Sequence, residues 1–91
     1  MQTTLRVRQE AIPVIKSSLE MKRKTLEFNA RQYRQRLVAF ERAHRMTTKQ
    51  FAKKFSAGEL GDDAKWFEWE FANDALRETE KQLKLLGSVR L

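Results

Sequence analysis

From Pro13 to about Arg45 the apolar residues return at helical spacing: Ile15, Leu19, Leu26, Tyr33, Leu37 and Phe40. Steps of three, four or seven put them on one side, with gaps at Lys22 and Asn29, so the pattern predicts one long amphipathic helix of about 45 Å. Pro13 suits its first turn, and no later proline or glycine interrupts it. Three pairs place an acid four residues before a base, Glu20–Lys24, Glu27–Arg31 and Glu41–Arg45, an order that supports exposed helix. Residues 1–12 lack this period. "TTLRVR" alternates weakly, with Leu5 and Val7 on one side and Arg6 and Arg8 on the other. That predicts an extended segment, too little to form a sheet alone.

"RMTTKQFAKKF" marks a second helix start. Thr47 is placed to cap it, Gln50 to complete a capping box, and Met46 and Phe51 to form a hydrophobic staple. Phe51 and Phe55, four apart, share one side of this short helix, which ends at Gly58 in a left-handed cap. Asp62 or Asp63 starts a third helix, their carboxylates favoured by the N-terminal dipole. It runs to about Leu86, where Gly87 stops it. The expected fold is all-α: an antiparallel helical hairpin of two long helices joined by a short one. The division is residues 1–12 as the extended head and 13–91 as the hairpin domain. Connections this short leave only antiparallel neighbours.

Composition narrows the class. Ninety-one residues make one small domain, with a limited core that favours completion by a partner or second copy. There is no cysteine, which excludes disulfides and thiolate chemistry and fits a reducing cytoplasm. No apolar run approaches the roughly 20 residues of a membrane span, and no signal peptide is visible, so the expected setting is cytoplasmic, without a membrane. The net charge of +7 is uneven: residues 1–45 carry 11 basic and 4 acidic groups, residues 58–91 carry 5 and 8. The two halves fold on each other, or the basic front meets an acidic partner.

Candidate chemistry is sparse. Glu59, Asp62 and Asp63 lack the alternating spacing of a calcium loop, and the helix start already accounts for both aspartates. His44 is the lone histidine, near the C-terminal end of the first helix. No second catalytic group, phosphate loop or two-histidine spacing accompanies it. The sequence predicts no enzyme, and no catalytic, cofactor-binding or metal site.

Two surfaces remain. Arg23, Arg31, Arg34, Arg42 and Arg45 share a side of the long helix, extended by Lys53 and Lys54. This stripe is a candidate nucleic-acid surface, although glutamates interrupt it and no nucleic-acid motif joins it. Arg6 and Arg8 resemble the strand of ribbon–helix–helix DNA binders, but the two short helices of that pattern are missing. On the third helix Trp66, Trp69, Ala72, Leu76 and Leu83 form one face, while Phe67, Phe71 and Ala75 point away from it. A hairpin needs one apolar face. The second must be covered by Phe51 and Phe55 of the short helix or by another chain. Large aromatics near arginines are typical of interface anchors.

"MTTKQFAKKFSAGELGDDAKWFEWEFANDAL" resembles a pattern of small archaeal and bacterial helical proteins. In that pattern a Met-Ser/Thr start and a Phe-containing short helix precede a Gly-Glu-Leu-Gly-Asp-Asp-like turn and a Trp-containing helix. These look like antitoxins of two-gene toxin–antitoxin modules. The likeness covers about a third of the chain and implies binding and neutralising a toxin protein, often within an oligomer. The positive charge departs from the acidic character of many antitoxins. The expected partner surface comprises Leu5, Val7, Phe51, Phe55, Trp66, Phe67 and Phe71. The alternatives are a basic nucleic-acid binder and a self-assembling structural dimer.

Overall fold

The computed structural model describes residues 3–91; Met1 and Gln2 of the expected head lie outside the described residues. Residues 3–8 carry no regular structure, and Gln9–Ala11 form a 3-10 turn that runs directly into the first helix. Three α-helices follow: α1 (Ile12–His44), α2 (Thr48–Ser56) and α3 (Ala64–Gly87). The described residues contain no strand.

Local chemistry sets the helix limits. α1 has Pro13 in its first turn and ends where Arg45 turns left-handed, at φ 52°. The Thr47 hydroxyl accepts from the Gln50 backbone N–H at 3.1 Å and the Gln50 side-chain Oε1 accepts from the Thr47 N–H at 2.9 Å. This completes the capping box at the start of α2. At its end the Gly58 N–H donates to Phe55 and the Glu59 N–H to Lys54, around a left-handed Gly58. Those are the two bonds of a Schellman stop. Asp63 caps α3, its carboxylate accepting from the Lys65 N–H. Gly87, expected as the stop, is the last helical residue; Ser88 closes the end with hydroxyl and N–H bonds to the Leu85 carbonyl.

The long helix α1 packs along α3. Its buried residues are Leu26, Ala30 and Leu37, and those of α3 are Trp69, Ala72 and Thr79. Thr79 hides its hydroxyl by donating to the Ala75 carbonyl at 2.7 Å. His44 meets Trp66, Phe40 meets Trp69, and Arg34 reaches Glu80 at 3.1 Å. The molecule measures 55 × 28 × 18 Å. Its thinnest dimension is under two helix diameters of about 10–12 Å, so among the described residues no further layer covers the α1–α3 pair along its length. Among the described elements only α2, at one end, touches both long helices.

Candidate functional site

The fold is tightest where α2 meets the pair. Trp69 is fully buried between two rings. Phe51 lies 4.1 Å away at an interplanar angle of 3°, and Phe40 lies 5.3 Å away at 8°. Phe55, Met46, Leu60, Trp66 and Leu76 pack around this column. The Trp69 indole N–H would be unsatisfied in such a core, but it donates to the Thr48 hydroxyl at 3.1 Å. The Thr48 N–H in turn donates to the Glu41 carboxylate at 2.7 Å. Glu41 was expected to pair with Arg45 on the surface of α1. It turns instead to the N-terminus of α2, where free N–H groups and the dipole favour an anion.

His44 lies with its ring centroid 4.8 Å from Trp66 and 5.7 Å from Trp69. It lines an open groove of about 800 Å³ between α1 and α3. Ala39, Phe40 and Ala43 line it on α1, Phe67 and Phe71 on α3, and Arg36 and Glu68 are the charged residues of its lining. The two small residues, four apart, leave the space that the phenyl rings border. Phe67 is 52% exposed and Phe71 60%, although each has an aromatic neighbour. Phe55 meets Phe67 edge-on at 5.4 Å, and Tyr33 meets Phe71 edge-on at 6.3 Å. The second apolar face of α3 is thus bordered by the chain's own rings but not buried by them.

The predicted partner residues are divided by this arrangement. Phe67 and Phe71 line the groove, Phe55 is half-buried beside Phe67, and Trp66 is half-buried with the Lys65 ammonium 4.9 Å from its ring centroid. Phe51 is fully buried, so its side chain serves the core rather than a surface. Leu5 and Val7 are exposed in the head. They precede the far end of α1, which lies about 36 Å along the helix from Arg36 by the usual rise. Sequence periodicity did not single out Arg36, Ala39, Ala43 or Glu68. The Ala39/Ala43 spacing beside Phe40 was the available signal.

The basic stripe is partly occupied. Arg23 pairs with Glu20; that hydrogen bond, and then the charge, hold its guanidinium more firmly protonated than usual. Arg34 holds Glu80 across the helix pair. Arg31 lies over the Phe28 ring at 6.0 Å. Arg42 and Arg45 are exposed near the end of α1, and Lys53 and Lys54 lie in the last turn of α2. Among the described residues no three His, Asp or Glu side chains gather as a metal site would. No helix there is long and apolar enough to cross a membrane.

Compared with known protein families, curated proteins and solved structures, the chain matches none.

Proposed function

We propose that this chain is a protein-binding helical hairpin, and that it acts as an antitoxin-like module neutralising a partner toxin. The order of contacts supports the hairpin: later residues of α1 meet earlier residues of α3, as in His44–Trp66 against Arg34–Glu80. The observation that carries protein binding is the groove in which Phe67 and Phe71 remain more than half exposed. Paired exposed rings beside an arginine are anchors of the interface kind. The toxin as partner rests on the likeness of Met46–Leu76 to antitoxins, and on those residues alone.

The groove is one part of such an interface. Two phenyl rings burying about 100 Å² each contribute on the order of 5 kcal/mol at the usual transfer value. Association itself costs roughly 4–15 kcal/mol. A stable complex therefore needs further contacts, for which the exposed head with Leu5 and Val7 is one source.

Co-expression with the adjacent gene tests the reading. The neighbour is expected to be toxic alone, harmless with this chain, and to co-purify with it. A harmless neighbour, or two proteins that stay apart, would overturn the toxin assignment. Arg31, Arg42 and Arg45 form no ion pair among the described residues, which favours nucleic acid as a second reading. Titration with generic DNA and RNA at two salt levels tests it. Absence of salt-sensitive binding at low ionic strength excludes it.

A further inference from the structure

The outward side of α1 carries a pattern that the α1–α3 core does not use. Val14, Ser18, Met21, Thr25, Phe28, Gln32, Gln35 and Ala39 follow one another in alternating steps of four and three. All eight are exposed, and none is charged, in a helix where 11 of 33 residues are. The large members are widely open to solvent: Val14 66%, Met21 69% and Phe28 53%. Alternating steps of four and three define the seam of a two-helix coiled coil. Ala39 belongs both to this seam and to the wall of the Phe67–Phe71 groove. The seam spans about 38 Å from Val14 to Ala39 and leads into the groove.

The flanks identify the occupant. The positions bordering the seam on one side are Ile15, Lys22, Asn29 and Arg36, and on the other Ser17, Lys24, Arg31 and Val38. Four are basic and none is acidic. In coiled coils these flanking positions face their counterparts on the second helix and select the partner. A second copy of α1 would bring cation against cation in either orientation. An acidic helix would find a complementary charge at Lys22, Lys24, Arg31 and Arg36.

We propose that the outer seam of α1 docks an amphipathic helix with acidic flanking positions, supplied by a partner protein. The inference rests on the protein-binding reading and assigns it a second surface, continuous with the groove. Val14, Met21 and Phe28 supply the apolar contact. Lys22, Lys24, Arg31 and Arg36 supply selectivity and on-rate. Ser18, Thr25, Gln32 and Gln35 keep the seam wettable in the free protein.

The probe is a fluorescent synthetic peptide of about four heptads, with Leu at the seam positions and Glu at the flanks. A scrambled peptide of the same composition and a peptide with Lys at the flanks serve as controls. The acidic peptide is expected to bind at least about tenfold more tightly than either control, and Met21→Ser/Phe28→Ser to remove that margin. Phe67→Ser/Phe71→Ser should leave most of it. All variants should keep the parent's circular dichroism and a cooperative unfolding transition; Phe67→Ser/Phe71→Ser also gives up the edge-on contacts with Phe55 and Tyr33, so its midpoint falls modestly. Failure of the acidic peptide to bind, or equal binding of the scrambled peptide, would overturn the proposal. So would retention of binding by Met21→Ser/Phe28→Ser. Sedimentation of the protein alone is expected to give a monomer or a dimer indifferent to Met21→Ser/Phe28→Ser. A dimer dissolved by that variant would show a second copy on the seam, against the proposal. Loss of binding to the adjacent gene product with peptide binding intact would isolate the failure to the toxin assignment.

Discussion

The Phe51 ring lies parallel to the Trp69 indole, 4.1 Å away, and both side chains are fully buried. A residue of the short helix thereby completes the core between the two long ones. Replacing Phe51 by Ala removes one side of the stack and opens a cavity, which costs roughly 3–5 kcal/mol. That is a large part of the ~5–15 kcal/mol holding a small domain. Urea unfolding of Phe51→Ala should show a much lower midpoint, with Trp fluorescence shifted toward that of exposed indole. Phe55→Ala, at a half-buried position, should lose less.

Thr48 links the core to the start of α2. Thr48→Val keeps the shape and the backbone bond to Glu41 but leaves the Trp69 N–H without its acceptor. The expected loss is about 1–3 kcal/mol in chemical denaturation. Thr47→Ala acts separately through the lost cap, at about 1 kcal/mol.

Arg45 adopts a left-handed backbone at φ 52°, which a side chain disfavours. Glycine fits that conformation but also loses more chain entropy on folding. The balance predicts that Arg45→Gly stabilises the domain, on the order of 0.5–1 kcal/mol, read as a raised midpoint. If the midpoint falls, the Arg45 side chain makes a contribution beyond its backbone role.

Glu70 provides a pH signature. Burial, and then repulsion from Asp74, raise its carboxyl above the usual glutamate range, with Arg77 acting the other way. Between the usual and the raised value the folded chain binds more protons than the unfolded one, so stability falls as pH rises through that window. Ionised Glu70 therefore costs stability at neutral pH. Glu70→Gln should raise the melting temperature at pH 7. The advantage should fade on acidification and vanish well below the ordinary glutamate pKa of about 4.3, where the parent carboxyl is neutral in both states.

Local punctuation was the most legible part of the sequence. The Thr47–Gln50 box, the left-handed Gly58 and the Asp63 cap all depend on residues within about one helical turn, so their chemistry is visible in a short window. The long amphipathic helix was equally clear, because its apolar period persists through α1. What the window does not hold is the seat of α2 against the pair. That seat buries Phe51 while leaving Phe67 and Phe71 open, and it draws Glu41 away from its neighbour on α1. The groove shared this fate. Ala39 and Ala43 matter because they are small opposite two phenyl rings, a relationship between helices rather than along one. Arg45 gave no sign of its left-handed turn, since no glycine stands there.

The central claim is that Phe67 and Phe71 anchor a partner protein. The direct test is co-purification of this chain with the product of the adjacent gene, repeated with Phe67→Ser/Phe71→Ser. The account predicts a stoichiometric complex with the parent chain, lost in the variant while its helicity and cooperative unfolding hold. An undiminished complex with the variant would contradict it, and absence of a complex with the parent would remove the adjacent gene product as that partner.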